Sequence, residues 1–431
     1  MMKYIVIFLA VFNFNQIYAE NGVLFFVESA LKNNPKINAE RENLKSVKQN
    51  INISKSEFLP SLTISGSQES TKSTNIVEQD GSLSGETKRN TETTKISVDQ
   101  KIFQGFQGYN KFKKSHLELE KAEYEYKKIE QSIILKSISA YYDLIFKNQS
   151  KEFNLANVSL FERQVESDRS RLQKGEISLT DLAQSESSLA GAQANFIKAD
   201  TEYVSAVAEF EKITRISAPK NLENNYEVFF FMPESLNKAF KLSSKNNPSL
   251  AIARIELAIS EKELSVEKAK LSPSAILNYS KSENKDLSAT IDENDQETVK
   301  ATISWPIIKG GKNFSSIKKF KHKKEKNRLL LENTENEVKT QTATSWSFFQ
   351  SAESIFNSTA AQLKAAEIAN EGITLEYDSG STRTTLEVIQ SRSLLLEARI
   401  SHARAKKDLI VSKLELLSQV GGLNLKSFQN P

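Results

Sequence analysis

Proline is absent from two long stretches of this 431-residue chain, 61–218 and 307–430. Glycine is scarce as well, with 14 residues in the whole sequence, so these stretches offer few places for a turn. Residues 109–173 alone predict one helix about 98 Å long, at a rise of about 1.5 Å per residue. A compact globule cannot contain such a helix, and the sequence therefore predicts an elongated molecule with long helices.

Internal repetition is the second constraint, because four short motifs occur twice in the same order. They are Lys-Asn-Asn-Pro at 32–35 and 245–248, Pro-Ser at 60–61 and 273–274, Gly105 and Gly310, and Gly175 and Gly380. The first two pairs are offset by 213 residues and the last two by 205, so a loop is shorter in the second copy. We divide the chain into a first repeat at 20–215, a linker at 216–233, a second repeat at 234–421 and a tail at 422–431.

Each repeat begins with a short helical segment, at 36–57 and at 249–271, that ends near a proline. A Thr- and Ser-rich region follows, in which apolar and polar residues alternate as in a β-strand. The alternation predicts two strands per repeat of about ten residues each, a length with which a tilted strand can cross a bilayer. Polar loops at 74–92 and 286–296 join the strands of each pair.

The last helix of each repeat carries a column of large and a column of small side chains, both with a spacing of seven residues. In the first repeat the columns are Leu182, Leu189, Phe196, Tyr203 and Phe210, beside Ser185, Ala192, Ala199 and Ala206. In the second they are Val388, Leu395, His402, Leu409 and Leu416, beside Ser391, Ala398, Ala405 and Ser412. Such columns pack helices closely, as in helical barrels or in an ordinary antiparallel hairpin. The column position of His402 favours a packing role over metal binding.

The N-terminus has the pattern of a secretory signal peptide. Lys3 precedes an apolar stretch from Tyr4 to Phe14, and Ala19 provides a small residue for cleavage before Glu20. A membrane anchor is the alternative, but the apolar run is shorter than the roughly 18 to 20 residues that a spanning helix needs. We therefore expect residues 1–19 to be removed and the mature chain to be exported.

Composition argues against several classes of function. The chain has no cysteine, so disulfides and thiolate sites are excluded, and its three histidines lie far apart in sequence. Since no set of nucleophile, base and orienting residue is evident, we expect no enzymatic activity, no cofactor and no metal site. The net charge of only +4 argues against a nucleic-acid partner.

One segment directly after the last predicted strand is nevertheless strongly basic. It contains Lys309, Lys312, Lys318, Lys319, Lys321, Lys323, Lys324 and Lys326. Lys111, Lys113 and Lys114 hold the equivalent place in the first repeat. Contact with lipid headgroups at the inner rim of a bilayer and a plain solvated surface are both open interpretations, whereas nucleic-acid binding fits an exported chain poorly.

Four membrane-length strands cannot close a barrel alone, because lipid offers no hydrogen-bond partner to an open sheet edge. Two chains would supply about eight strands and a barrel filled by side chains, and three would supply twelve and leave a lumen. We therefore expect the chain to associate.

Several segments, in their order, spacing and duplication, resemble the TolC-type outer-membrane efflux proteins. They are the Asn-Pro pairs at 34–35 and 247–248, the prolines at 60 and 273, the run 305–311, and the helix-turn-helix segments at 171–182 and 377–388. The resemblance implies a mixed α and β membrane protein of two tandem structural repeats. A long antiparallel coiled-coil α-helical barrel would lie in the periplasm, and a β-barrel completed by trimerisation, with four strands per chain, would lie in the outer membrane.

The same resemblance implies a function without chemistry: a passive exit duct of a tripartite efflux or type I secretion system. The implied partners are a homotrimer, a periplasmic adaptor, an inner-membrane transporter and outer-membrane lipid. The strand loops would face outside the cell and the helical tips the periplasm. From the residues alone, the alternative is a secreted coiled-coil structural or adhesion protein.

The resemblance also implies site residues at the two helical tips. Gly175 and Gly380 would mark the tips where the adaptor docks, although the family's Val-Gly-Leu is replaced by Lys-Gly-Glu and Ser-Gly-Ser. Glu387 would form an acidic ring at the constriction, with an uncharged Gln390 ring one turn away. Polar latches would hold the entrance closed, and the implied pairs are Asp181 with Tyr377 and Thr180 with Arg383.

Overall fold

A computed structural model describes residues 22–74, 76–77, 79–219, 222, 232–288, 291–379 and 383–425. The predicted signal peptide, most of the linker and the end of the tail lie outside these ranges. The first repeat contains α1 (Val23–Asn33), α2 (Pro35–Lys55), β1 (Ser61–Ser73), β2 (Ile76–Val77), β3 (Leu83–Ser84), β4 (Thr87–Phe103), α3 (Gln107–Gln173) and α4 (Leu179–Thr214). The second contains α5 (Leu236–Asn246), α6 (Pro248–Ala269), β5 (Ser274–Ser288), β6 (Ile291–Ser304), α7 (Lys312–Asp378) and α8 (Thr385–Gln419).

The long helices confirm the prediction from the missing prolines. Both α3 and α7 contain 67 residues, about 100 Å at the usual helical rise. The structure adds α1 and α5, which the sequence pattern did not predict. Within the described ranges, no helix combines the length and the apolar character needed to cross a membrane.

The repeated Asn-Pro pairs have a double structural role. The Asn34 side chain accepts a hydrogen bond from the Lys36 backbone N–H at the start of α2, and its Nδ2 donates to the Ile213 carbonyl at 3.0 Å. Asn247 likewise caps α6 and donates to the Gln419 carbonyl at 2.8 Å. Each asparagine therefore starts one helix and ties it to the end of the long hairpin of its own repeat, while the proline fits the first helical position.

The main sheet is antiparallel with the order β1-β4-β5-β6, so the two repeats meet at the β4–β5 pair. Its strands contain 13, 17, 15 and 14 residues, longer than the predicted ten. The loop predicted at 286–296 is therefore wrong, because most of that range is paired strand. The predicted 74–92 loop is also shorter, since β2 and β3 pair within it and β4 begins at Thr87. Acidic and hydroxyl residues had indicated loops, but strands whose side chains are exposed accept them as well.

Paired residues give the sheet two chemically different faces. Four residues that pair side by side across the sheet, one from each strand, form what we call a rung. One rung is apolar and consists of Leu62, Val98, Tyr279 and Val299. The next rung carries only hydroxyl groups, from Thr63, Ser97, Ser280 and Thr298. Because successive residues of a strand point to opposite faces, one face offers an apolar band and the other a polar one.

Helix packing follows the small columns more closely than the large ones. All eight small-column residues are buried, whereas Leu189, Phe196, Tyr203, His402 and Leu409 of the large columns are only partly buried. The His402 ring stacks on Phe356 with the centroids 5.1 Å apart, and its Nδ1 lies 3.3 Å from the Thr359 hydroxyl. The packing role predicted for His402 is therefore confirmed.

The largest hydrophobic cluster lies where α1, α3, α4 and α8 meet. Ile138 of α3, Phe210 of α4 and Leu416 of α8 are all completely buried in it. Leu423, in the segment assigned to the tail, is also 0% exposed and belongs to this cluster. The start of that segment is therefore part of the core, and Gly421, with a φ of +71°, allows the turn after α8.

Candidate functional site at the helical tips

The tip of the first hairpin is a tight turn between α3 and α4. Gly175 has a φ of +67°, and its backbone N–H donates to the Leu172 carbonyl at 3.0 Å. The next N–H, of Glu176, donates to the Arg171 carbonyl at 2.9 Å. This is the glycine C-cap geometry that ends many helices, so Gly175 is needed for the turn itself. Gly380, the predicted counterpart, lies outside the described residues.

Both helices that leave the tips begin with a capping box. In α4, the Ser178 side chain accepts from the Asp181 N–H, and the Asp181 carboxylate accepts from the Ser178 N–H at 2.9 Å. In α8, Thr384 and Glu387 make the same reciprocal pair. Hydrogen bonds from Ser178 hold the pKa of Asp181 below its usual range, and bonds from Thr384, assisted by Arg383, do the same for Glu387. Both carboxylates therefore cap the first turn of their helices, α4 and α8.

Arg383 lies between two carboxylates of its own hairpin. Its Nε is 2.6 Å from the Glu376 carboxylate, and its Nη1 is 2.8 Å from the Glu387 carboxylate. Thr180 is exposed in the first turn of α4. The implied Thr180–Arg383 pair is therefore absent within the described chain, because two nearer anions hold the guanidinium.

Tyr377 also has different partners from those implied. Its hydroxyl donates to the Asp168 carboxylate at 3.2 Å and lies 3.1 Å from the Thr385 hydroxyl. The Asp181–Tyr377 pair is not formed within the chain, since Asp181 is held by its own helix cap. A helical side chain leans toward the N-terminus of its helix, which directs Tyr377 away from the tip and onto α3 one turn back.

Asp168 is the centre of a buried polar cluster that joins all four long helices. It is 0% exposed and accepts from Gln164 Nε2 at 3.0 Å and from the Ser185 hydroxyl at 2.5 Å, besides Tyr377. The Gln164 carbonyl in turn accepts from Arg392 Nη1 at 3.1 Å. We call Gln164, Asp168, Ser185, Tyr377, Thr385 and Arg392 the Asp168 cluster. It fastens the first hairpin to the second just behind the tips.

Arg392 gives this cluster a partly buried positive charge. Burial lowers the pKa of its guanidinium, and the nearby Asp378 opposes that effect. Because an arginine guanidinium is not deprotonated in proteins, the group stays charged and needs its polar partners.

Sequence reasoning did not identify the Asp168 cluster, although a signal existed. Asn154, Phe161 and Asp168 are seven residues apart and all buried on α3, so a charged residue occupies a packing column. A carboxylate in such a column requires donors from neighbouring helices.

Glu387 and Gln390 lie one turn apart at the start of α8. The Glu387 side chain is 37% exposed and Gln390 is exposed, so both are on the surface of the single chain. The predicted rings remain predictions. No group of three or more His, Asp or Glu residues suited to a metal ion occurs in the part of the chain that the structure describes.

Comparison with known families gives one match that spans most of the chain. The model of the family "Outer membrane efflux protein" matches residues 26–214 and 240–422, one match in each repeat. The two matched stretches correspond to the repeats inferred from the motifs.

Individual relatives and solved structures agree with this match. The outer membrane efflux protein BepC of Brucella suis is 24% identical over 91% of this chain and 83% of its own length. The outer membrane protein TolC of Escherichia coli is 22% identical over 97% of this chain and 86% of its own length. The CmeC outer membrane channel of Campylobacter jejuni superposes with a TM-score of 0.81 at 15% identity, covering 93% of this chain and 85% of the channel.

The fold, the duplicated architecture and the family match point to the same conclusion, and they remove the alternative of a secreted adhesion protein. The chain belongs to the outer membrane efflux protein family and is a non-enzymatic efflux channel of the TolC type, located in the outer membrane.

Proposed function

We propose that three copies of this chain assemble into a channel-tunnel. Three four-stranded sheets would close into a twelve-stranded barrel, and the long hairpins would continue it as a helical tunnel into the periplasm. The tunnel would act as the exit duct of a tripartite efflux or type I secretion system.

The two-faced sheet is the observation that carries this proposal. The apolar rung at Leu62 fits a lipid-facing surface, and the adjacent hydroxyl rung at Thr63 fits a water-filled lumen. Within the described sheet, β1 and β6 each pair on one side only. Because β1 and β6 run in opposite directions, β6 of one chain can pair with β1 of the next and continue the antiparallel pattern.

Disulfide trapping tests this assembly directly, since the chain has no cysteine. Thr63→Cys would be combined in turn with Thr298→Cys, Lys300→Cys or Thr302→Cys, all on the hydroxyl-rung face of β6. Within one chain, β1 and β6 are three strand spacings apart, about 14 Å, too far for a disulfide. At least one pair should therefore give covalent trimers in membranes after mild oxidation. If all three pairs leave only monomers, the barrel closure is wrong.

The periplasmic adaptor and the inner-membrane transporter remain proposed partners. The tips at Gly175 and near Gly380 are the proposed docking points. The first tip presents Lys174 and Glu176 beside Gly175, so the contact there would be polar. Crosslinking in cells followed by copurification would identify both partners, and substitution of Lys174 and Glu176 by alanine should weaken adaptor recovery.

Glu387 and Gln390 are the proposed constriction of the trimer. Three Glu387 carboxylates around the axis would favour cations, and Arg383 would partly neutralise each of them. Glu387→Gln should reduce the cation preference in planar bilayers, and Gln390→Glu should increase it by adding a second charged ring. An unchanged preference in both variants would place the constriction elsewhere.

The proposed latches are Tyr377 and Arg383, with revised partners. Tyr377 holds the second hairpin to Asp168 of the first, and Arg383 braces the start of α8 against Glu376. The double variant Tyr377→Phe, Arg383→Ser should raise single-channel conductance. The matched control is Tyr109→Phe, an exposed tyrosine at the other end of α3, which should conduct like the wild type.

A further inference from the structure

The two junctions between strand and long helix differ in how their lysines are compensated. In the first repeat, Lys111 lies 2.6 Å from the Glu57 carboxylate, and Lys101 shares the same carboxylate at 2.7 Å. These bonds hold the pKa of Glu57 below its usual range. Lys114 is 3.3 Å from Glu118. Three of the four lysines of this junction therefore have a carboxylate partner, and Lys113, which is exposed, has none among the described residues.

The second junction leaves most of its lysines uncompensated. Lys323 and Lys324 are paired, with Glu263 at 2.5 Å and Glu261 at 2.8 Å. Among the residues that the structure describes, no carboxylate lies within ion-pair distance of the remaining lysines of this segment. They are Lys309, Lys312, Lys318, Lys319, Lys321 and Lys326, all of them exposed. Lys319 is near enough to Glu267 for an electrostatic attraction, but Glu267 is ion-paired with Lys270. A cluster of like charges with so little compensation favours binding of an anion.

An exposed apolar ridge precedes these lysines along the chain. Ile303 lies next to the end of β6, and Trp305, Ile307 and Ile308 follow in the connection to α7, with Ile308 87% exposed. The Trp305 indole Nε1 donates to the Leu271 carbonyl at 3.0 Å, which fixes the ring at the edge of the sheet. Phe314 in the first turn of α7 is exposed as well. A ridge of this kind is unfavourable in water and typical of a surface that contacts lipid.

The spacing of ridge and lysines matches the layers of a bilayer. The headgroup layer is roughly 6 Å thick on each side of the hydrocarbon core. Lys309 directly follows the ridge, Lys312 begins α7, and Lys318 and Lys319 lie about 10 Å farther along the helix. Their long side chains can reach back to the phosphates. Tryptophan at the interface followed by lysine is the usual order at a membrane boundary.

We propose that Lys309, Lys312, Lys318 and Lys319 bind the phosphates of anionic phospholipids in the inner leaflet of the outer membrane, while Ile307 and Ile308 insert among the acyl chains. The first junction, where Lys101, Lys111 and Lys114 are paired, contributes less to this binding. The inference rests on the proposed membrane placement of the sheet. Each chain would thus select negatively charged lipid mainly at its second junction.

The two tryptophans of the chain, Trp305 and Trp346, allow a direct test. In a Trp346→Phe background, Trp305 is the single fluorophore and lies beside the proposed site. The full chain would be reconstituted in mixed bilayers in which either phosphatidylglycerol or phosphatidylcholine carries brominated acyl chains. Quenching of Trp305 reports which lipid is its neighbour.

The attraction of one basic residue to an anionic membrane surface corresponds to about a fivefold enrichment of anionic lipid. We therefore expect the quenching of Trp305 to show phosphatidylglycerol enriched about fivefold or more over phosphatidylcholine beside the indole. Replacing Lys309, Lys312, Lys318 and Lys319 by glutamine should abolish the enrichment while total quenching persists. The matched control replaces four exposed lysines far from the junction, Lys198, Lys241, Lys339 and Lys364, and should keep the enrichment.

Two results would overturn the inference in distinguishable ways. Equal quenching by both lipids, or enrichment that survives the junction variant, would contradict lipid selection but leave the channel placement intact. Absence of quenching by either lipid would show that the junction is not at the bilayer and would contradict the proposed membrane placement as well.

Discussion

Helices α3 and α7 have the same length and the same place in their repeats, yet their environments differ. Of the 67 residues in each, 22 are buried in α3 and only Val338, Thr342, Ser345 and Tyr377 in α7. Helix α3 packs against α1, α2, α4, α6 and α8, whereas α7 contacts mainly α5, α6 and α8. A duplicated sequence has therefore produced one central helix and one peripheral helix.

The peripheral helix nevertheless carries large apolar side chains. Those exposed on α7 include Leu330, Phe348, Ile355, Ile368 and Leu375. In the proposed trimer this face would meet a neighbouring chain, so α3 would stabilise the chain and α7 the assembly. Two repeats can therefore share a sequence pattern while their corresponding helices are covered by different partners. These partners are helices of the same chain for α3 and, in the proposed trimer, a neighbouring chain for α7.

The largest expected effect comes from shortening one isoleucine in each helix, a buried one in α3 and an exposed one in α7, and it separates these two roles. Ile138 of α3 is 0% exposed, so Ile138→Ala should lower the free energy of unfolding by about 2 to 5 kcal/mol. Ile355 of α7 is 51% exposed, so Ile355→Ala should leave the unfolding of the single chain nearly unchanged and weaken only the trimer. Urea titration of monomer and trimer in detergent measures both. Equal losses in the monomer would refute the division of roles.

The next effect concerns the Asp168 cluster, whose central carboxylate has no counterpart in the second repeat. At the offset of 205 residues, the position of Asp168 is occupied by Ile373. Asp168→Ala would remove the acceptor that Gln164, Ser185 and Tyr377 share, and we expect a loss of about 1 to 3 kcal/mol per buried group left unpaired. Hydrogen exchange should show faster opening of α3 and α4 behind the tip. Ser391→Ala, which removes a bond to Asn370 in the second hairpin, is the milder control.

A smaller effect is expected at the turn after α3. Gly175 has a φ of +67° with open space around its Cβ position, so Gly175→Ala adds only backbone strain, about 1 kcal/mol. The residue directly after α7, Ser379, has a φ of −76°, much like its counterpart Lys174 after α3 at −85°. Ser379→Ala should therefore cost less than Gly175→Ala. Thermal melting of the two variants in parallel tests the order.

The smallest effect is a pH dependence shared by both hairpins. The pKa values of Asp181 and Glu387 lie below their usual range, so each contributes stability above its unfolded-state value. That contribution is lost as the pH falls below about 4, the usual range of an unfolded carboxyl, and through the lowered folded-state pKa. Hydrogen exchange at the first turns of α4 and α8 should accelerate over this range. Asp181→Asn should remove the dependence in α4 alone.

Local patterns allowed much of the fold to be predicted. The missing prolines gave the long helices, and the seven-residue columns gave their packing faces, because both depend on neighbours within one helix. Strand ends were harder: Asp292 and Asp295 suggested a loop, but they stand in β6 with exposed side chains. A charged residue is excluded from a strand whose side chains are buried, but not from a strand whose side chains are exposed to solvent.

The candidate site was predictable only in part, for a different reason. Gly175 and the two capping boxes are local features, and the sequence marks them. The partners of Tyr377 depend on which turn of α3 faces the end of α7, a relation between residues more than 200 positions apart. The motif located the tip correctly but not the contacts across it.

The β4–β5 pair has a consequence for how this channel must mature. Glu92 pairs with Lys285, so the sheet cannot be completed until nearly two-thirds of the chain has been delivered. Pairing between such distant segments is slow, and until then β4 presents an open edge that other chains can join. We therefore expect that the first repeat does not fold on its own. A chain truncated after α4 would keep that edge permanently, so premature termination should give aggregates rather than half-channels.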